Sequence, residues 1–135
     1  MYSIQKLTQV SDCDVLLSWA QREKEDLELK KLNETKLTKN YSDTSVSIET
    51  ELNSVIVQIN TIDSILASLP EGAIKNDNLK KKTRLEYKKF LLEDRKVNYG
   101  VVALLEKEAD VQRIVKELEE LEVFIAAVTQ KKATL

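Results

Sequence analysis

Residues 48–72 read IETELNSVIVQINTIDSILASLPEG, and this stretch decides the fold. Its apolar side chains recur at alternating intervals of four and three residues, the spacing that places them on one face of an α-helix. This helical period outweighs the strand preference of the many β-branched residues. The pattern predicts an amphipathic helix with a continuous apolar seam of Ile48, Leu52, Val55, Ile59, Ile62, Leu66 and Leu69.

A chain reversal is predicted directly after this helix, at Pro70–Gly72. Proline suits the second position of a type I turn and glycine suits the fourth. Charge supports the same arrangement, because residues 40–74 contain no Lys or Arg whereas residues 78–96 contain eight. The reversal would therefore place an acidic helix antiparallel to a basic one, and opposite charges along two helices favour that pairing.

An earlier helix is predicted between residue 11 and about residue 39. Ser11 is a candidate N-cap, Asp14 would complete a capping box, and Val10 and Val15 would form a hydrophobic staple. The short polar side chains at residues 40–45 favour a loop or a kink after it. We expect residues 1–10 to form an N-terminal arm and residues 11–135 to form a single helical domain.

A third helix is predicted to begin at Asp77 or Asn78 and to continue to about Gln130. Glycine inside a helix costs about 1 kcal/mol relative to alanine, so Gly100 is a candidate position for a bend. A second apolar row widens the stripe beyond a two-stranded seam, as expected for contact with more than one neighbour. The main row recurs every seven residues at Phe90, Val97, Leu104, Val111, Leu118 and Ile125.

The predicted fold class is all-α, with long antiparallel amphipathic helices forming a coiled-coil-like hairpin or an up-down bundle. Three helices are expected, the third long and spanning the other two, with the reversal at Pro70–Gly72. Composition agrees, because the chain has two glycines, one proline and 33% charged residues, which is typical of long solvated helices. The pattern leaves an elongated hairpin and a folded-over bundle both open.

The residue types argue against catalysis. The chain has no histidine, and so lacks the commonest general base and transition-metal ligand. Cys13 has no second cysteine to share a metal ion, and two isolated glycines cannot build a phosphate-binding loop. We therefore expect no catalytic, cofactor or metal site, and no enzyme activity.

A cytoplasmic location is expected, because a single cysteine suits a reducing compartment and no signal peptide is evident. The longest apolar runs, Val101–Leu105 and Val123–Val128, are too short to span a bilayer. No small-molecule substrate is indicated.

The sequence favours a structural or interaction protein that self-associates or binds a protein partner through an apolar helix face. The alternative is an adaptor that binds nucleic acid or an anionic surface through the basic segment Lys80–Lys96, in which Tyr87 and Phe90 are interleaved. We expect the protein partner rather than nucleic acid, because the row of seven-residue intervals predicts that Phe90 is buried and the lysines are distributed around the helix. Trp19 is interpreted as a structural anchor or as a binding hot spot.

Overall fold

The computed structural model describes all 135 residues and contains helices but no β-strand. A short 3-10 turn at Ile4–Lys6 precedes three α-helices. The all-α fold of long antiparallel amphipathic helices is thus confirmed. The residues fall into two compact units: unit 1 comprises Met1–Leu37 and Lys107–Leu135, and unit 2 comprises Thr38–Glu106. The helices are α1 (Val10–Leu66), α2 (Ala73–Tyr99) and α3 (Val101–Ala133).

The reversal in unit 2 lies where it was predicted, between the end of α1 and the start of α2. The last turn of α1 tightens as the Ser68 N–H donates to the Ile65 carbonyl and the Leu69 N–H donates to the Leu66 carbonyl. Gly72 has φ of 153°, a conformation that side chains disfavour, and it leads directly into α2. Glycine is therefore required at this end of the turn.

The core of unit 2 is formed by the predicted seam of α1 against α2. Leu52 and Val55 of α1 and Leu92 of α2 are buried together. Ion pairs flank this core, with Asp63 to Lys82 at 2.6 Å and Glu49 to Lys96 at 2.8 Å. The acidic and basic segments pair as predicted, and the two helices keep one antiparallel register between these pairs.

The predicted loop or kink at residues 40–45 is wrong, because α1 is helical throughout this segment. The inward-facing positions continue at helical spacing, since Tyr41 and Ser45 precede Ile48 by seven and three residues. Ser45 is buried, and the ring of Tyr41 packs 5.3 Å from the ring of Tyr99. Each short polar residue lowers helix stability by about 0.5 kcal/mol relative to alanine. Packing along the long helix outweighs this cost.

The predicted long third helix corresponds to α2 and α3, which join at Gly100, the predicted candidate position for a bend. The two helices predicted before the turn are instead one helix, α1. The start also differs, because α2 begins at Ala73, ahead of Asp77 and Asn78. Gly100 alone separates α2 from α3, and its backbone is extended there. The Gly100 N–H still donates to the Lys96 carbonyl at 2.8 Å. A Cβ at residue 100 would lie 2.3 Å from that carbonyl oxygen, so the close approach requires glycine.

The buried residues of α3 belong to the second predicted apolar row and not to the main row of seven-residue intervals. Phe90 and Val97 are exposed, with 62% and 76% of their surface open to solvent. The sequence contains two neighbouring apolar rows, and their period alone does not determine which of them is buried. The buried positions are Leu92, Gly100, Ile114, Leu121 and Val128.

In unit 1 the N-terminal part of α1 packs antiparallel to α3. Lys24 pairs with Glu122 at 2.7 Å and Asp14 pairs with Lys132 at 2.5 Å. The glutamate-rich part of α3 therefore meets a lysine of α1. Cys13 and Ala20 of α1 are fully buried.

Helix α1 begins two residues earlier than predicted. The helix begins at Val10, and the Cys13 N–H donates to the carbonyl of Gln9, which places Ser11 inside the helix. The Ser11 hydroxyl donates to the side chain of Gln9 at 3.4 Å, so it caps nothing. Val10 and Val15 are both exposed, and no hydrophobic staple forms. The polar residue that precedes the helix is Gln9, which the cap signature does not recognise.

Candidate functional site

One candidate surface is an apolar row in unit 2, defined here as Phe90, Val97, Val101 and Leu105. All four side chains are more than half exposed, as is the neighbouring Val102. Phe90 and Val97 lie seven residues apart on α2, and Val101 and Leu105 lie four apart on α3, so each pair shares one side of its helix. Scattered single apolar residues are ordinary on a surface, whereas exposed apolar residues that share one side of a helix are typical of an interaction site.

The second candidate surface is the basic segment Lys80–Lys96, which the structure divides into two sets. Lys82 and Lys96 pair with α1, and Lys89 lies 3.9 Å from Glu93. The lysines of this segment occupy more than one side of α2, but the cations outside these pairs share one side at about 100° per residue. This basic stripe is defined as Lys80, Lys81, Arg84, Lys88 and Arg95.

The basic stripe is available for contact. Lys80, Lys81, Arg84 and Lys88 are exposed and take part in no ion pair, whereas the guanidinium of Arg95 lies 6.0 Å from the centre of the Tyr99 ring. The stripe therefore presents four uncommitted cations on one side of α2, an arrangement that attracts anionic partners.

The third candidate surface is an aromatic pocket in unit 1, between α1, α3 and the segment that precedes α1. Phe124 of α3 is one of its three aromatic residues. The rings of Tyr2 and Trp19 meet the Phe124 ring edge to face, with centroids 5.1 Å and 5.8 Å away. The cavity measures about 320 Å³. Besides two leucines, it is lined by Tyr2, Trp19, Glu23, Glu117, Glu120 and Phe124.

Two side chains of this pocket are joined by a hydrogen bond. The Tyr2 hydroxyl donates to Oε1 of Glu120, and this bond to a carboxylate is the main reason that the pKa of Tyr2 is raised above its ordinary value. The bond holds the N-terminal segment against α3. Trp19 remains 45% exposed, so the predicted structural anchor also presents a free aromatic surface.

Sequence reasoning singled out Trp19 and missed the rest of the aromatic pocket. Tyr2 and Glu120 are separated by 118 positions, and no local period relates them. Ion pairs elsewhere follow the charge pattern: hydrogen bonding to Glu122 raises the pKa of Lys24, and hydrogen bonding to Asp63 raises the pKa of Lys82. These ion pairs join the helices within each unit, and none of them involves a glutamate of the aromatic pocket.

Other kinds of site are not formed. No three acidic or cysteine side chains come together as metal ligands, and no helix combines the length and apolar content needed to cross a membrane. The Cys13 thiol is buried. Comparison with protein-family models, curated proteins and solved structures gives no significant match for this chain.

Proposed function

We propose that this chain is a non-enzymatic helical interaction protein that self-associates or binds a protein partner through the apolar row. The observation that carries the proposal is that Phe90, Val97, Val101 and Leu105 are each more than half exposed. Each of these side chains would gain about 1 kcal/mol or more by leaving water, since full burial of such a side chain contributes roughly 1.5–3 kcal/mol. A cytoplasmic location belongs to the same proposal, supported by the single unpaired thiol of Cys13.

The partner that best fits the apolar row is another amphipathic helix, including a helix of a second copy. Intervals of seven and four residues match the anchor positions by which helices recognise one another. The charged residues that flank the row, such as Glu93 and Asp94, supply the polar rim that such contacts use for register. Association in this way would form a coiled-coil-like contact.

Light scattering across a range of protein concentrations tests this proposal, together with binding of a fluorescent hydrophobic dye. We expect a mass that rises with concentration, or a dye signal that marks exposed apolar surface. The variant Val97→Glu should reduce whichever is seen, because a charge at the centre of the row disfavours burial. Val57→Glu is the matched control, since Val57 is also an exposed valine (63%) of unit 2 but lies on α1, outside the row.

The proposal fails if the protein is monomeric at every concentration and binds no dye. It fails equally if Val97→Glu and Val57→Glu behave alike, because the apolar row would then have no special part in association.

The basic stripe supports a second candidate function, the binding of nucleic acid or another anionic surface. Four uncommitted cations on one side of α2 favour it. A titration with an anionic polymer such as double-stranded DNA should then show affinity that falls steeply with salt. Arg84→Gln combined with Lys88→Gln should weaken binding, whereas the exposed pair Lys36→Gln and Lys39→Gln should not. This second candidate function would be excluded if the affinity did not depend on salt concentration. It would also be excluded if both double variants lowered the affinity equally.

A further inference from the structure

We propose that the aromatic pocket of unit 1 binds a basic side chain, lysine or arginine, presented by a protein partner. This site is separate from the apolar row, which belongs to unit 2, so the inference does not depend on that surface. The proposal rests on the shape of the cavity, on its aromatic lining and on its uncompensated negative charge.

The cavity has room for the end of one long side chain. Its volume of about 320 Å³ is at the small end of the range seen for ligand sites, about 300–1,000 Å³. Trp19, which lines the cavity, is 45% exposed, so the cavity opens to solvent and can admit a group that is still attached to a polypeptide. An open cavity of this kind suits a side chain that enters from a partner better than a free ligand that must be fully surrounded.

The lining selects for a cation. Ring faces attract ammonium and guanidinium groups through the negative charge above the ring, and indole does so most strongly. Trp19 supplies such a ring, and the Phe124 ring packs against it at an interplanar angle of 85°. The alkyl stem of a lysine or arginine would meanwhile lie against the apolar surfaces of Leu27 and Leu121, which also line the cavity.

The charge of the lining residues also favours a cation. Three glutamates and no lysine or arginine line the cavity. Glu120 accepts the Tyr2 hydrogen bond, while Glu23 and Glu117 take part in no ion pair. Two carboxylates are thus free to meet an incoming positive charge, and lysine and arginine are the side chains that carry one.

Fluorescence provides a direct test, because Trp19 is the only tryptophan in the chain and lies in the pocket. The probes are capped glycine-rich peptides with one central lysine, arginine or norleucine, the last being an uncharged alkyl control. We expect a saturable change of Trp19 emission with the lysine or arginine peptide and none with the norleucine peptide. Tetramethylammonium chloride serves as the free-cation arm.

Variants assign the binding to the lining residues. Glu23→Gln and Glu117→Gln should each weaken binding about 1.5- to 5-fold, the effect of losing one partly exposed charge partner. Phe124→Leu should weaken it about 2- to 30-fold by disturbing the aromatic surface. Glu108→Gln is the matched control, since Glu108 is an exposed glutamate of α3 in the same unit that does not line the cavity. The glutamine variants change no buried group and should therefore fold. They still test the proposal if Phe124→Leu fails to fold.

Three results would each overturn the inference. The first is that neither basic peptide binds, or that the norleucine peptide binds as well as they do. The second is that Glu23→Gln and Glu117→Gln keep the affinity of Glu108→Gln. The third is that tetramethylammonium binds and the basic peptides do not, which would make the pocket a site for a free cation. The mass measurements on Val97→Glu are independent of all three, so failure here and failure of the apolar row are distinguishable.

Discussion

Truncation of Leu92 to alanine tests which side of α2 faces α1. Leu92 is 4% exposed and packs with Leu52 and Val55, whereas the neighbouring Leu91 is 44% exposed. Phe90 belongs to the row that the seven-residue period predicted to be buried, and it is exposed in the structure. The variants Leu92→Ala, Leu91→Ala and Phe90→Ala therefore separate the observed packing from the sequence pattern.

The magnitudes follow from burial. Leucine-to-alanine changes in cores cost about 2–5 kcal/mol, combining lost transfer free energy with the cavity left behind. The core around Leu92 is small, and its half-buried neighbours Ile59 and Leu85 can relax into the space, so we expect about 2–3.5 kcal/mol. Leu91→Ala removes the same atoms from a half-exposed position without leaving a cavity and should cost about 1 kcal/mol or less. Phe90→Ala should also cost about 1 kcal/mol, far below the roughly 3–5 kcal/mol of a buried phenylalanine.

Urea unfolding followed by far-UV circular dichroism measures these differences. Leu92→Ala should lower the midpoint without changing the slope, and in thermal unfolding it should lower Tm by about 8–14 °C at roughly 4 °C per kcal/mol for a chain of this size. Leu91→Ala is the internal control, because the same atoms are removed at the adjacent position.

The order of the three losses in unfolding free energy shows which side of α2 is buried. At a protein concentration where the chain is monomeric, a loss for Phe90→Ala as large as that for Leu92→Ala would show that the assignment of the buried face of α2 is wrong. Equal losses for Leu91→Ala and Leu92→Ala would refute the argument from burial.

Three further predictions concern single positions. Gly100→Ala should destabilise the protein by about 1–3 kcal/mol in urea, because the new Cβ must be displaced from a 2.3 Å approach to the Lys96 carbonyl oxygen; increased stability would contradict the contact. Since the pKa of Tyr2 is raised in the folded state, its bond to Glu120 stabilises the protein below the unfolded pKa near 10 and is lost as pH rises through the folded value. A phenolate absorbance titration should show Glu120→Gln lowering the pKa of Tyr2 toward its ordinary value, and no change would exclude the hydrogen bond. Cys13 should react with a thiol-specific reagent only as fast as the protein opens, since it is fully buried, so immediate labelling without urea would show that it is accessible.

The hairpin of unit 2 was predictable because its determinants are local. The seam from Ile48 to Leu69 repeats at a period that only a helix satisfies, and Pro70–Gly72 supplies the turn chemistry within three residues. The ion pair of Asp63 with Lys82 also follows from a charge contrast on either side of the turn. Such signals need no knowledge of the partner helix.

The breaks between helices were not predictable in the same way. Residues 40–45 have the composition of a loop, yet Ser45 is buried and Tyr41 packs on Tyr99, so long-range contacts keep that segment helical. Gly100 was a candidate for a bend from the sequence alone. Whether one helix ends there and another begins depends on how closely its backbone approaches Lys96. Propensity differences of about 1 kcal/mol cannot decide between these outcomes.

The sequence by itself determined that the chain is helical, where it reverses and which charges meet across the hairpin, because period, turn chemistry and charge blocks act over a few residues. Only the tertiary structure decided that Leu92 rather than Phe90 is buried, since two apolar rows compete and the facing helix selects one. It alone also assembled the aromatic pocket from Tyr2, Trp19 and Phe124, because residues so far apart in sequence are brought together by antiparallel packing and by no local pattern.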